Sequence, residues 1–217
     1  MTAAAADDAQ DYLARVRAAA AVRRLGHAIV GHDVAPDVLD ELATDIESRL
    51  PALEAGAPRS RAVEIMKRNM IFDRPSDGER IGTFPDCVVS GDANPMGLDV
   101  QFFREGDEAV SRVVLGPAFE GAPNRAHGGV VAAVFDDLMG FVLTIHESPA
   151  YTAELTVRYR RPTPVGEEIE FRARLADRKG RRLHIEAEAT DSEGTKIATA
   201  EGLFITIPRE GFGTREA

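Results

Sequence analysis

Apolar residues follow two different periodicities along this chain, and the change falls near residue 98. Up to about residue 70 they recur every three or four positions, first over residues 8–25 and again over residues 36–50. This spacing predicts two amphipathic helices. Gly26 and Pro51 directly follow the two stretches, and both residue types commonly end helices. We therefore expect one helix to stop at each of them.

Beyond residue 98, alternating apolar positions and many β-branched residues predict strands. The predicted strands span residues 98–104, 109–115, 152–159, 167–175, 183–190 and 196–207. Gly180 and Gly194 mark turns between the later strands. Residues 130–145 are almost wholly apolar, which predicts a helix buried nearly all round. Two strands, one buried helix and four more strands predict an α+β fold, with an antiparallel sheet wrapped around the helix.

These elements divide the chain into three parts. We expect a helical N-terminal extension over residues 1–75, the α+β domain over residues 76–208 and a flexible C-terminal tail over residues 209–217. The extension carries no group of catalytic side chains. We therefore expect its helices to pack against the core or against a partner subunit.

Composition narrows the classes of function. The formal net charge of −10, from 26 Lys and Arg against 36 Asp and Glu, argues against a general nucleic-acid binder. Cys87 is the only cysteine, so neither a disulfide framework nor a thiolate metal cluster is expected. The chain has no recognisable secretory leader and no run of about 20 uncharged apolar residues. These features predict a cytoplasmic protein without a membrane span.

The charge is unevenly distributed. Residues 158–182 contain nine Arg or Lys and four Asp or Glu, a local balance of +5 that leaves −15 for the remainder. A basic patch on an acidic protein suits a small polyanion better than a long one. Solvated faces of a hairpin would produce the same composition, and the sequence leaves both interpretations open.

Two carboxylates, Asp136 and Asp137, interrupt the predicted buried helix. An ionised carboxylate in an apolar helix is costly unless it is paired or has a function. Asp136 lies on a face with almost no side-chain bulk, made of Gly129, Ala132, Ala133 and Gly140. Asp137 shares its stripe with bulkier residues, Val130, Val134 and Phe141. The small face favours Asp136 as the functional carboxylate, although a salt bridge to an arginine of the sheet is an alternative for either.

The start of this helix supplies a second candidate group. Gly128 and Gly129 follow His127 and leave backbone N–H groups without helical partners. Glycine allows a ligand to come close, and the positive end of the helix favours developing negative charge. An oxyanion hole is therefore possible here. His127 could be a base, a metal ligand or a structural donor; no second histidine stands at ligand spacing, so we expect no metal and favour the structural role.

Together these residues resemble the PaaI-like hotdog-fold acyl-CoA thioesterases. The motifs that carry the resemblance are His127-Gly128-Gly129, Asp136, Tyr151-Thr152-Ala153-Glu154-Leu155, Tyr159-Arg160-Arg161-Pro162 and Asn94-Pro95-Met96-Gly97-Leu98. The resemblance covers about residues 87–207. It implies an antiparallel sheet around the helix, and homodimers or homotetramers with active sites between subunits.

The resemblance also implies roles for individual residues. Asp136 would be the general base or nucleophile, and the Gly128 N–H would polarise the thioester carbonyl. Thr152, from the partner subunit, would position the water or the carboxylate. Coenzyme A would be part of the substrate, so no separate cofactor is implied. Some relatives have Asn or Gln six residues before the histidine, where this chain has Gly121.

The remaining candidates are substrate-binding residues. Gly129 lies beside the oxyanion donor, and Asn124 stands near the position of the missing Asn or Gln. The basic side chains that could reach the phosphates of coenzyme A are Arg160, Lys179, Arg181 and Arg182. Adjacent residues of a strand point to opposite faces, so at most one of Arg160 and Arg161 should face the ligand.

Two other functions compete with thioester hydrolysis. A hotdog hydratase would act on enoyl- or hydroxyacyl thioesters, but such chemistry calls for a catalytic histidine beside an acid. A non-catalytic protein that binds or senses acyl-CoA would keep the fold and use the N-terminal helices for partner contacts. The combination of Gly128, Asp136 and Thr152 favours a fatty or aromatic acyl-CoA thioesterase.

Overall fold

A single antiparallel sheet wrapped around one helix forms the centre of the molecule. The computed structural model describes residues 3–59 and 74–207, so the C-terminal tail predicted over residues 209–217 lies outside the described residues. Its helices are α1 (Ala3–Gly31), α2 (Pro36–Glu54) and α3 (Gly128–Ile145), with a 3-10 turn at Pro117–Phe119. Its strands are β1 (Phe103–Glu105), β2 (Glu108–Val114), β3 (Glu120–Ala122), β4 (Arg125–Ala126), β5 (Ala150–Tyr159), β6 (Glu168–Lys179), β7 (Arg182–Asp191) and β8 (Lys196–Thr206).

Six of these strands form the main sheet, in the order β1-β2-β6-β7-β8-β5, with every neighbouring pair antiparallel. β3 and β4 form a separate two-stranded ribbon before α3. The helix packs on one face of the main sheet through eight buried residues: Val131, Val134, Phe135, Leu138, Met139, Val142, Leu143 and Ile145. The predicted α+β fold, an antiparallel sheet around a central helix with N-terminal helices, is confirmed.

Helix and sheet approach closely because small residues face large ones. A Cβ added to Gly202 of β8 would lie 2.7 Å from the sulfur of Met139, so glycine makes room for this methionine. Phe135 packs edge-on against Phe171 of β6, with ring centroids 5.1 Å apart. By length and composition alone α3 could cross a membrane, but its packing under the sheet is that of a core helix.

The two N-terminal helices run beyond the ends predicted for them. Gly26 was expected to end the first helix, but α1 continues to Gly31. Glycine inside a helix costs about 1 kcal/mol relative to alanine. Arg23 and His27, on either side of it, contact the α+β domain, and these contacts offset that cost. Pro51 was expected to end the second helix but lies inside α2, in its last turn, where few helical hydrogen bonds remain to be lost.

The first predicted strand is much shorter than expected. Residues 98–104 were predicted to be extended throughout, yet β1 begins only at Phe103. The backbone N–H groups of Leu98 and Val100 instead donate to the carbonyls of Val88 and Val89, both at 2.9 Å. Residues 84–100 thus form backbone hydrogen bonds among themselves, and we call them the 84–100 segment. Its hydrogen bonds compete with sheet pairing, which explains the short strand.

A β-bulge in β5 decides which side chains of that strand face the helix. Leu155 lies opposite Gly202 and Thr152 lies opposite Phe204, so Ala153 has no partner of its own in the register. Gly202 and Phe204 are both buried on the helix side of β8. Strict alternation would place Thr152 and Leu155 on opposite faces. The extra residue reverses the alternation, and Thr152 therefore faces α3.

Candidate active site

Asp136 and Thr152 form the centre of the candidate site. The Thr152 hydroxyl donates a hydrogen bond of 3.0 Å to Oδ1 of Asp136, and both residues are exposed. The two side chains belong to the same chain. Thr152 was expected to come from a partner subunit, and this prediction is wrong for the contact with Asp136. The physical reason is the bulge at Ala153, which turns Thr152 toward its own helix.

Asp137, the neighbouring carboxylate, has a different environment. It lies largely buried against the 84–100 segment, where the Cys87 thiol lies 3.7 Å from both of its carboxylate oxygens. Burial raises the pKa of Asp137, although hydrogen bonds from Ser90 and Cys87 oppose the shift. The helix thus presents one carboxylate to solvent and holds the other in the interior. This difference agrees with the choice of Asp136 as the functional residue.

At the start of α3, one backbone donor is free and the next is occupied. His127 caps the helix, and its ring Nδ1 accepts a hydrogen bond of 2.9 Å from the N–H of Gly129. Within residues 3–59 and 74–207 the N–H of Gly128 has no acceptor. Gly128 can therefore donate to a ligand, whereas Gly129, expected to contribute to binding, has its N–H occupied by His127. The cap is the structural role that the sequence favoured for His127.

Tyr159 is a neighbour of this donor whose role the sequence did not reveal. Its hydroxyl donates a hydrogen bond of 2.6 Å to the carbonyl oxygen of Gly128. A Cβ on Gly128 would lie 3.3 Å from the tyrosine ring, so the glycine allows this close approach. Tyr159 is the last residue of β5 and faces the helix because it lies opposite the buried Ala198. It fixes the first peptide of α3 from the sheet side.

The residues before the helix explain why this chain lacks the Asn or Gln of some relatives. A Cβ on Gly121 would lie 2.8 Å from Cα of His127, so a larger side chain would displace the cap. Asn124, considered a candidate for substrate binding, adopts a left-handed conformation with φ of 59° in the turn between β3 and β4. Its N–H donates to Glu120 at 3.3 Å. These features give Asn124 a role in the turn.

One chain does not bring Gly128 and Asp136 together. Eight residues separate them on α3, and a rise of about 1.5 Å per residue places them about 12 Å apart along the helix axis. A reacting carbonyl must lie about 3 Å from its oxyanion donor and a similar distance from the attacking group. A single α3 therefore cannot supply both groups to one thioester.

The surface beside Gly128 forms an open groove of about 360 Å³ with three arginines. It is lined by Arg125, Ala126, Gly128, Tyr159, Arg160, Arg161, Pro162 and Thr163. The expectation that at most one of Arg160 and Arg161 would face this side is wrong, because β5 ends at Tyr159 and the alternation of a strand does not extend to them. Arg125 lies far from the basic stretch in sequence, so composition did not reveal it. A hydrogen bond of 3.0 Å from the Ala126 N–H to the Thr163 carbonyl brings the two segments together.

The other basic candidates lie at the opposite end of the sheet. Arg182 of β7 lies opposite Ile205 of β8, and Ile205 in turn lies opposite Tyr151 of β5. Tyr151 is nine residues before Arg160, which corresponds to about 30 Å along an extended strand. Lys179 forms an ion pair of 3.0 Å with Asp177. Arg181 donates two hydrogen bonds to the carbonyl of Thr206. Within one chain these residues and Arg160 therefore do not form a single basic patch, because the length of the strands separates them.

Among the described residues, no group of three or more His, Cys, Asp or Glu side chains is arranged to hold a metal ion. The side chains near the site that could bind a metal already accept hydrogen bonds. His127 caps the helix, and Asp136 accepts from Thr152. The chemistry available at the site is that of one carboxylate, one hydroxyl and one backbone donor.

The sheet wrapped around a single helix, with a carboxylate on the exposed side of that helix, defines a hotdog-fold domain. Residues 124–198 match the family described as the thioesterase superfamily. They contain the helix cap, α3 with Asp136, all of β5, β6 and β7, and the first residues of β8. The chain has the hotdog fold, these residues are similar to the thioesterase superfamily, and the resemblance seen in the sequence is confirmed at this level.

Relatives and a solved structure agree with this assignment. Acyl-coenzyme A thioesterase THEM4 from Bos taurus is 27% identical over 122 residues, which cover 55% of this chain and 50% of the relative. The same enzyme from Mus musculus is 30% identical over 92 residues, which cover 42% and 40%. The matches therefore span about half the length of these relatives or less.

The crystal structure of a thioesterase superfamily protein is similar over a longer range. It is 26% identical, with a TM-score of 0.73, and the match covers 88% of this chain and 90% of that protein. The matched 88% of this chain amounts to about 191 residues, whereas the predicted α+β domain, residues 76–208, has only 133. The likeness therefore extends into the N-terminal helices.

Proposed function

We propose that this chain is an acyl-CoA thioesterase, which hydrolyses a fatty or aromatic acyl-CoA to the free acid and coenzyme A. The hydrogen-bonded pair of Asp136 and Thr152 carries the proposal, because it presents a carboxylate to solvent on a helix face made of small residues. The curated relatives that bear the name acyl-coenzyme A thioesterase support the same class of substrate.

The chemistry requires few groups, since a thioester is already activated. Asp136 would act as general base, removing a proton from a water that attacks the carbonyl carbon, or would attack that carbon itself. Thr152 holds the carboxylate in one orientation through its hydrogen bond. Negative charge that develops on the carbonyl oxygen would be stabilised by the free N–H of Gly128 and the positive end of α3. Coenzyme A then leaves as the thiol.

The complete site would lie between two subunits. The distance of about 12 Å along α3 prevents one chain from supplying both Gly128 and Asp136. Within the described chain β5 pairs only with β8, so its other edge of ten residues is available. Pairing of two β5 edges about a two-fold axis would set two α3 helices antiparallel. The Gly128 end of one helix would then approach Asp136 of the other.

The arginine groove would receive the phosphates of coenzyme A. Arg125, Arg160 and Arg161 line it together with Gly128, so the groove places positive charge beside the oxyanion donor. Arginine side chains bind phosphate oxygens through paired N–H donors. Arg182, Arg181 and Lys179, at the far end of the sheet, would contribute less. A cytoplasmic location and the absence of a separate cofactor remain predictions from the sequence.

The contacts of His127 favour hydrolysis over the hydratase alternative. Its Nδ1 accepts the N–H of Gly129 as a helix cap, and Asp136 lies about two turns further along the helix. A histidine and an acid placed side by side, as proton transfer at carbon requires, are therefore missing from this end of α3. The Asp136–Thr152 pair also argues against a protein that only binds acyl-CoA, because binding alone does not require an exposed carboxylate held in place by a threonine.

Free-thiol release from a panel of acyl-CoAs tests the proposal. We expect the wild-type protein to release thiol and Asp136→Asn to lose about 10²–10⁴-fold in kcat, the contribution of a positioned base. The matched control is Asp137→Asn, which makes the same change at the adjacent buried residue and should keep most of the activity. Binding of acyl-CoA without thiol release by the wild type would instead favour a binding or hydratase function.

A further inference from the structure

Helix α1 lies across the thioesterase domain and contacts two segments that lead to the proposed site. One contact is with the 84–100 segment, through Arg23. The other is with the 3-10 turn that precedes the ribbon β3–β4, through His27. The helix belongs to the part of the chain for which the sequence suggested only packing against the core or a partner subunit. Both contacts join residues more than 60 positions apart in sequence, so neither is local.

Arg23 holds the 84–100 segment with a buried guanidinium. It donates to the carbonyls of Asp92 at 3.0 Å and Asn94 at 2.7 Å, and forms an ion pair of 2.7 Å with Asp99. Its side chain is 9% exposed, far below the exposure of an ordinary surface arginine. Tyr12, about three turns earlier, adds a hydrogen bond of 2.7 Å to Asp92. The segment is thus held by several charged or polar contacts from one helix.

The 84–100 segment in turn contacts α3 next to the candidate catalytic residue. Cys87 and Ser90 form hydrogen bonds with Asp137, the residue that directly follows Asp136. Val89 packs into the core beneath α3. Any displacement of the segment would therefore reach the turn of helix that carries the reactive carboxylate.

His27 makes the second connection, toward the oxyanion end of α3. Its Nδ1 accepts a hydrogen bond of 3.2 Å from the N–H of Ala118, and its ring packs edge-on against Phe119, with centroids 5.0 Å apart. The carbonyl of Phe119 accepts a hydrogen bond of 2.8 Å from the N–H of His127, the helix cap. Gly116 permits the contact, since a Cβ there would lie 2.6 Å from the imidazole ring.

We propose that α1 positions both halves of the catalytic machinery, with His27 acting on the oxyanion donor and Arg23 acting on the turn that carries the carboxylate. The inference rests on the proposed thioesterase function. Both residues are positioning residues, because neither touches substrate. A displacement of about 1 Å at a reacting group can lower a rate by about 100-fold. The hydrogen bonds of α1 limit displacements of this size.

Kinetics of two variants test the proposal. We expect Arg23→Gln and His27→Ala each to lower kcat for acyl-CoA by about tenfold, while the Kd of free coenzyme A changes by less than about twofold. The matched controls are Arg24→Gln and His32→Ala, which change exposed residues of the same types and should leave kcat unaltered. If Arg23→Gln and His27→Ala matched their controls in kcat, the proposal would be overturned.

Conservative variants separate positioning from a general loss of stability. His27→Asn keeps an acceptor near the place of Nδ1, whereas His27→Phe keeps the ring on Phe119 and loses the acceptor. We expect the asparagine variant to recover most of kcat and the phenylalanine variant to recover less. A variant could instead lose kcat and coenzyme A binding equally, both in proportion to the unfolded fraction measured by circular dichroism. That result would show that α1 only stabilises the fold, and it would overturn the proposal.

Amide hydrogen exchange keeps this test distinct from a failure of the proposed function. His27→Ala should accelerate exchange at His127 and Gly129, and Arg23→Gln should accelerate exchange at Leu98 and Val100. If the wild-type protein released no thiol from any acyl-CoA, the proposed thioesterase function would be refuted. Amide exchange would then be the only test of whether α1 holds the start of α3 and the 84–100 segment in place. Unchanged exchange at all four amides would overturn the proposal.

Discussion

The proposed division of the site between two subunits makes a specific prediction for mixed dimers. Asp136→Asn removes the carboxylate, and Gly128→Pro removes the free N–H. Proline is well suited to Gly128 because it is favoured at the first position of a helix. The preceding His127 has φ −63° and ψ 132°, which a following proline tolerates. Each homodimer should be nearly inactive, with Gly128→Pro losing about 10²–10³-fold in kcat.

The expected recovery follows from the geometry of α3. With about 12 Å between Gly128 and Asp136 on one helix, each site of the proposed dimer would take its donor from one subunit and its carboxylate from the other. In a mixed dimer one site receives both intact groups and the other receives neither. The activity per dimer should therefore be about half that of the wild type, for two equivalent sites related by a two-fold axis.

The assay is thiol release by mixed dimers, isolated after co-expression of the two variants with different affinity tags. Gly128→Ala is the control for crowding, because it keeps the N–H while placing a Cβ 3.3 Å from Tyr159. We expect this control to stay much more active than the proline variant. Mixed dimers no more active than the two homodimers would refute the reasoning, as would a monomeric protein with full activity.

Three further predictions follow from the site. Burial raises the pKa of Asp137 above its unfolded value, so the stability that its protonated form contributes is present at low pH and lost as the pH rises through the folded pKa. In urea unfolding, Asp137→Asn should therefore gain stability relative to wild type as the pH rises above about 4, the pKa of an unperturbed Asp, and the opposite trend would contradict the raised pKa. Deletion of Ala153 removes the bulge and should lower kcat about as much as Thr152→Ala, about 10–100-fold; an unaffected kcat would mean that the hydroxyl is not needed. Arg160→Gln should weaken binding of free coenzyme A and flatten its salt dependence more than Arg182→Gln, and the reverse order in calorimetric titrations would move the phosphate site to the other end of the sheet.

The sequence by itself determined the buried helix and the later strands of the domain, and it selected Asp136 as the candidate catalytic carboxylate. Period-two alternation located β5 to β8 closely, and Gly180 and Gly194 do occupy left-handed turns, with φ of 59° and 77°. The small residues around Asp136 distinguished it from Asp137. These features depend on neighbours within a few positions along the chain, and local periodicity records such neighbours directly.

Only the tertiary structure decided how the parts of the site relate to one another. The bulge at Ala153 depends on the register with β8, so alternation within β5 alone could not reveal that Thr152 faces Asp136. The basic side chains of residues 158–182 lie at two opposite ends of the sheet, because the strands of the sheet are about 30 Å long. Arg23 and His27 meet partners 76 and 91 residues away. Contacts of this kind arise from the packing of distant segments, for which the local pattern of the sequence carries no signal.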